Sequence, residues 1–257
     1  MNHLDAIAAR LDDAARNATP VPQIAPDLAL TLDDAYFVQR ASIERRVHRG
    51  ECTVGVKLGF TSRAKMTQMG VDSLIWGWLT DAMLDEDGAR VALNRFIHPR
   101  VEPEVCFLTS RVIERPLTLI EASQYLEAVA PALEIIDSRY MNFRFSLEDV
   151  VADNCSSAGL TIGPWTRRFE GLCNAGVVMR IDGRVVQTGS TAAILGNPLR
   201  SVVQASRLIS QSGLVLPAGS LIMAGAATAA VELPPDAHVQ CAVSGIGSTE
   251  LTTHRLS

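Results

Sequence analysis

Glu102 and Glu104, separated only by Pro103, lie within the apolar run Val101–Leu108, and Glu134 interrupts a second such run, Ala132–Ile136. A strand turns alternate residues to one face, so Glu102 and Glu104 project together while Pro103 points away. Ionised carboxylates in apolar surroundings need protons or a cation to neutralise them. An all-oxygen donor set suits a hard ion such as Mg²⁺ or Mn²⁺ better than zinc. The same spacing also describes the solvated side of an ordinary half-exposed strand. Against that stand the neighbours Val105, Phe107, Leu108, Leu133, Ile135 and Ile136, which leave neither segment polar enough to read as surface.

Other residues could join such a site. Lys57 sits in the apolar run Val54–Phe60 between Gly55 and Gly59. It either snorkels from an edge strand or faces the carboxylates as a cation for an anionic substrate. Asp81 either caps a turn or works as an acid or base. Arg139, in Asp137-Ser138-Arg139, either forms a local ion pair or clamps a carboxylate through two parallel hydrogen bonds. Ser156 and Ser157 lie in the small, polar stretch Asp153–Gly159, whose composition suits a turn or a set of N–H donors for an anion. Cys106 shares the face of Glu104, where neighbouring anions disfavour a thiolate. His98 has no partner at metal-binding spacing. The sequence contains no G-x-S-x-G, no G-x-G-x-x-G and no P-loop, which argues against serine-hydrolase, nicotinamide and phosphate chemistry.

The elements that must position these residues follow from periodicity. Leu4–Asn17 carries apolar residues at helical spacing, and Pro20, Pro22 and Pro26 then break the pattern. A second helix opens at Thr31 or Leu32 and runs to about Arg49, where Arg45, Arg46, His48 and Arg49 complement the helix dipole or form an interaction patch. From Thr53 the texture changes to short apolar strands: Val54–Phe60, Val101–Leu108, Ala132–Asp137, Leu160–Ile162, Val177–Ile181, Arg184–Thr188, Leu221–Ala224 and Val239–Val243. Asp182-Gly183 marks a two-residue hairpin. Helices are expected at Ser62–Met69, Leu119–Val129, Leu147–Val151 and Pro198–Ser212, the last ended by Gly213. The expectation is therefore an α+β chain with a helical N-terminal region, residues 1–52, and a mixed β-rich catalytic domain, residues 53–257.

Composition narrows the function classes. A net charge of −5 gives no electrostatic footprint for nucleic acid. Five scattered cysteines form no C-x-x-C and indicate neither a zinc site nor a disulfide framework. Met1–Asn17 is charged and lacks an apolar signal core, and Leu221–Val231 is too short to span a bilayer. A cytoplasmic location away from membranes is expected.

Five segments together resemble the fumarylacetoacetate-hydrolase superfamily, in its hydratase/decarboxylase branch of meta-cleavage aromatic catabolism. They are Gly55–Ser62, Val101–Phe107, Pro131–Arg139, Ala152–Gly159 and Gly196–Leu199, in family order across most of the chain. Cys155 stands where alanine is commoner. Ala64–Val71 and Ile75–Met83 resemble the decarboxylating members more than the hydratases. The resemblance implies a mixed β-roll or barrel, a divalent ion on Glu102, Glu104 and Glu134, and Lys57 and Asp81 near the substrate. It implies decarboxylation of 2-oxo-3-hexenedioate, a small 2-oxo dicarboxylate, to 2-hydroxypenta-2,4-dienoate. Hydration of the latter compound, or a silent partner role beside a hydratase, is the alternative. Homo-oligomers and a complex with vinylpyruvate hydratase are implied on the same ground.

Overall fold

The computed structural model describes residues 3–24, 28–62 and 74–255. The expected helix at Ser62–Met69, beyond Ser62 itself, and the Ala64–Val71 segment lie outside the described residues. Two helices open the chain, α1 (His3–Arg16) and α2 (Leu32–His48). Thr31 starts α2 through a capping box with Asp34, each satisfying an N–H of the other. The basic end of α2 has a local purpose: Arg45 and Arg49 hold the buried Asp12 of α1 at 2.8 and 2.6 Å.

The body follows as β1 (Thr53–Gly59), β2 (Ile75–Thr80), β3 (Leu84–Asp85), β4 (Arg90–Ala92) and β5 (Arg100–Thr109). Next come α3 (Leu119–Ala122), β6 (Leu126–Ile136), α4 (Leu147–Ala152), β7 (Ser157–Ile162), β8 (Gly176–Ile181), β9 (Arg184–Ser190) and α5 (Leu199–Gln211). The chain ends in β10 (Leu221–Met223), β11 (Val231–Glu232), β12 (His238–Val243) and β13 (Gly247–His254). The larger sheet has the order β2-β1-β10-β5-β6-β7-β3, with β11 also on β5, and it curls into the half-barrel of the expected α+β fold. The second sheet has the order β4-β13-β12-β8-β9. Asp182 and Gly183, both at positive φ, make the expected hairpin turn between β8 and β9.

Alternation gives β5 and β6 two different faces. Val101, Val105, Phe107, Leu133 and Ile135 enter the main core, which also takes residues of the second sheet and α5. Cys106, Ala132 and Leu160 belong to a separate cluster with Leu79, Met83, Leu221 and Met223. Glu102, Glu104 and Glu134 share the parity of this second set.

Pro103 is unusual in a strand paired on both sides. Toward β10 and β11, however, pairing stops after Cys106 and resumes at Val101. The Pro103 carbonyl accepts from Ala227 N–H in that gap at 2.9 Å, so its missing donor costs the ladder nothing.

The helix expected at Leu119–Val129 is a correction. Thr118 and Glu121 do form a capping box, but the helix ends at Ala122 and β6 begins at Leu126. Pairing with β5 along the length of β6 overrides the helical periodicity of the sequence. Strands β2 and β13 are absent from the expected set, because Gly77 and the threonines of β13 dilute the apolar alternation.

Candidate metal centre

The register of β5 and β6 places Glu102 directly opposite Glu134, with Glu104 one step along opposite Ala132. One carboxylate oxygen from each of the three acids lies within 4.8 Å of the others, and all three residues are buried. Lys57 reaches this group from β1. Its Nζ lies 3.1 Å from Glu134 Oε2 and donates to the Cys155 carbonyl at 3.3 Å. Glu134 is 0% and Lys57 4% exposed, so the charges interact out of bulk water.

Three carboxylates therefore face one ammonium. Burial, then repulsion from Glu134, holds the Glu104 carboxyl well above the usual range, with Lys57 opposing. Burial likewise raises Glu134, although Lys57 pulls against it. Burial alone would discharge Lys57, but Glu134 and then Glu104 outweigh it and keep the ammonium firmly charged. Glu104 Oε2 accepts from Gly225 N–H at 2.8 Å, whereas Glu104 Oε1 and Glu134 Oε1 are buried without a hydrogen-bond partner. Such orphaned anionic oxygens, all hard donors, fit a divalent ion of the Mg²⁺ or Mn²⁺ type.

Gly225 had no signal in the sequence beyond its Ala/Gly-rich surroundings. Its φ is +104°, and a Cβ there would lie 2.1 Å from Thr61 Oγ1. Only glycine lets this backbone bend in and offer its N–H to Glu104.

A strained turn holds the other side of the site. Asn154, Cys155 and Ser156 all have positive φ, between 49° and 57°. Consecutive non-glycine residues in that region are costly and need support from their surroundings. Asn154 supplies part of it: its Oδ1 accepts from Trp78 N–H at 2.7 Å and its Nδ2 donates to Trp78 O at 2.9 Å. Cys155 Sγ donates to Trp76 O at 3.0 Å, and burial pushes its thiol up to about 12. Gln39, a buried amide on α2, donates to Trp76 O at 3.0 Å and Val151 O at 2.9 Å. The turn presents the Cys155 carbonyl to Lys57 and leaves the Ser156 hydroxyl buried with no partner. Gln39 is a polar residue among the inward positions Ala35, Val38, Ser42 and Ile43 of α2, the one sequence signal that could have marked it.

Three expected residues stand apart. Asp81 is exposed on the turn after β2, where its Oδ1 accepts from Cys52 and Ala82 N–H at 2.9 Å each. It sits near Thr53, at the other end of β1 from the site, and its capping reading is the one the contacts match. Arg139 is buried, with its guanidinium committed to the Asp153 side chain, the Asp153 carbonyl and Ser157 O. A buried guanidinium requires that pairing, and three of its five N–H groups are committed to it. Ser157 has its hydroxyl 3.9 Å from Met83 Sδ.

Comparison with known proteins agrees with this picture. Residues 52–253 match the family described as fumarylacetoacetate (FAA) hydrolase C-terminal. The chain is 52% identical over 247 residues to a 4-oxalocrotonate decarboxylase of Pseudomonas sp, covering 96% of each. It is 36% identical to a 2-keto-4-pentenoate hydratase of Paraburkholderia xenovorans (strain LB400), covering 93% of this chain and 90% of the relative. Among solved structures, 4-oxalocrotonate decarboxylase from Pseudomonas putida G7, complexed with magnesium and adipate, superposes with a TM-score of 0.93 at 37% identity, covering 97% of both chains.

Proposed function

The chain belongs to the fumarylacetoacetate hydrolase family, and we infer that it is a metal-dependent carboxy-lyase converting 2-oxo-3-hexenedioate (4-oxalocrotonate) to 2-hydroxypenta-2,4-dienoate and CO₂. The observation that carries this is the buried cluster of three carboxylates against a single lysine, in a chain half identical to a 4-oxalocrotonate decarboxylase over nearly its full length.

The substrate is a vinylogous β-keto acid. When the C5–C6 bond breaks, its electron pair forms C4=C5, the C3=C4 pair moves to C2=C3, and the C2 carbonyl oxygen takes the negative charge. A proton then added to that oxygen gives the product. Glu102, Glu104 and Glu134 hold the divalent ion, which when bound supplies Lewis acidity at the 2-oxo acid end. Lys57 has three N–H protons, of which Glu134 and the Cys155 carbonyl orient two. The third is available to the C1 carboxylate or C2 oxygen, where a fixed positive charge favours the developing anion. Ser156 Oγ, buried without a partner on the turn whose Cys155 carbonyl accepts from this lysine, serves as a hydroxyl ligand for the same end of the substrate. Asp81, Arg139 and Ser157 take supporting positions outside this constellation.

The hydratase reading rests on the 36% identical relative and on a metal and 2-oxo acid requirement common to both reactions. Incubating the protein with each substrate, with Mg²⁺ and with EDTA, separates them. CO₂ release from 2-oxo-3-hexenedioate that EDTA abolishes is the expected result. Hydration of 2-hydroxypenta-2,4-dienoate without CO₂ release would reject the decarboxylase. Among the described residues no helix is long and apolar enough to cross a membrane. A cytoplasmic location, homo-oligomers and docking to vinylpyruvate hydratase complete the reading, and size-exclusion chromatography with and without that hydratase tests the last two.

A further inference from the structure

We propose that Arg100 recognises the distal carboxylate of the substrate and makes the site selective for dicarboxylates. This rests on the 2-oxo acid reading of the site given above. Arg100 begins β5 and shares a face with Glu102 and Glu104, one alternation, roughly 7 Å, before Glu102. A six-carbon diacid whose 2-oxo acid end lies at the three glutamates extends over a comparable distance. The second carboxylate of such a substrate needs a cation, and the cations nearest the site are occupied. Lys57 is paired with Glu134, and Arg139 is locked onto Asp153.

Arg100 is exposed and, among the described residues, makes no ion pair, not even with Glu232, its register partner on β11. Its guanidinium is instead held over the ring of Phe143, with Cζ 4.3 Å from the centroid. Stacking fixes the plane of the fork while leaving its N–H edge free for a carboxylate. The residue lines a cavity of about 710 Å³ together with Arg255, His98, Asn142 and Glu232; the three glutamates and Lys57 do not line this cavity, and the substrate chain would have to bridge from them to it. His98 Nε2 is buried there without a hydrogen-bond partner, a second polar group in the cavity wall that a bound anion would satisfy. The carboxylate that Arg100 holds is the one that departs as CO₂, so an ion pair to it stabilises the bound substrate more than the transition state. Arg100 accordingly lowers KM and sets selectivity without accelerating the chemical step.

The test uses the Mg²⁺-loaded protein and two stable probes of equal length, 2-oxoadipate and 2-oxohexanoate. Both carry the 2-oxo acid end, and neither has the C3=C4 alkene that connects loss of C6 to the C2 oxygen. In calorimetric titrations the unmodified protein should bind 2-oxoadipate about tenfold more tightly or better. Arg100→Gln should abolish that preference while leaving affinity for 2-oxohexanoate and for Mg²⁺ unchanged, and Arg100→Lys should restore part of it. With 2-oxo-3-hexenedioate, Arg100→Gln should raise KM without lowering kcat. The proposal is overturned if Arg100→Gln keeps the dicarboxylate preference, or if Arg200→Gln, an exposed cation on α5, removes it instead. Binding of neither probe to the unmodified protein would strike down the 2-oxo acid site itself, a failure recognisably different from loss of selectivity.

Discussion

At Arg139 one guanidinium meets one carboxylate and two backbone carbonyls, whereas at Lys57 one ammonium meets three carboxylates, two of which keep an oxygen with no hydrogen-bond partner. Both groups are buried in the same fold, but in the sequence Lys57 is set in an apolar run whereas Arg139 closes the polar triplet Asp137-Ser138-Arg139. The matched group has its charge balanced within the chain, and its three hydrogen bonds tie it to Asp153 and Ser157. The mismatched one is complete only with a further positive charge, and that deficit is what makes it a site. An unbalanced buried cluster thus points to a ligand more strongly than a buried ion pair does.

The sharpest break in this contrast is Glu104→Gln. It removes one anionic donor, so turnover should fall roughly 10²–10³-fold with weaker Mg²⁺ binding in calorimetry. Without divalent ion the variant should melt no lower than the unmodified protein, since one source of repulsion has gone. Arg139→Met should do the reverse, with a stability loss of about 3–5 kcal/mol in urea melts and unchanged Mg²⁺ affinity. That loss has a defined pH dependence. Burial already raises Asp153 to about 6, and Arg139 is the main group holding it down. Without Arg139 the carboxyl rises further, and a carboxyl raised in the fold adds stability below its unfolded value that is lost as pH climbs through its folded one. The Arg139→Met deficit should therefore be largest well above pH 6, shrink as pH falls toward 6 and level off below it.

Two smaller changes refine the comparison. Gly225→Ala forces a Cβ against Thr61 and strains a positive φ, costing about 1–3 kcal/mol, and it should weaken Mg²⁺ binding by displacing the N–H from Glu104. Asp81→Ala removes two exposed hydrogen bonds, so it should cost about 1 kcal/mol and leave kcat unchanged in the CO₂-release assay. A large kcat loss there would return Asp81 to the chemistry.

The three glutamates were legible because strand alternation converts spacing into a shared face, and the apolar neighbours argued against solvent. Lys57 was legible for the same reason. Asp81 and Arg139 were not, because periodicity says nothing about which end of a strand faces the site or which neighbour a buried charge has already taken. The Asn154–Ser156 turn was visible only as a small polar stretch, since three adjacent left-handed residues have no reliable signature without glycine. The segment after Ala122 failed differently: its residues suit a helix, and only the β5 partner, distant in sequence, makes it a strand.

Gln39 has a consequence for how this chain can be dissected. The family match starts at residue 52, after both N-terminal helices. Yet α2 reaches past that boundary, stacking Tyr36 on Trp76 at 5.6 Å and tying the amide of Gln39 to Trp76 O and Val151 O beside the Cys155 turn. The opening helices act as a brace whose removal would slacken a turn they never share chemistry with, so a recombinant fragment trimmed to the family boundary should retain all three glutamates and Lys57 and still be a poor enzyme.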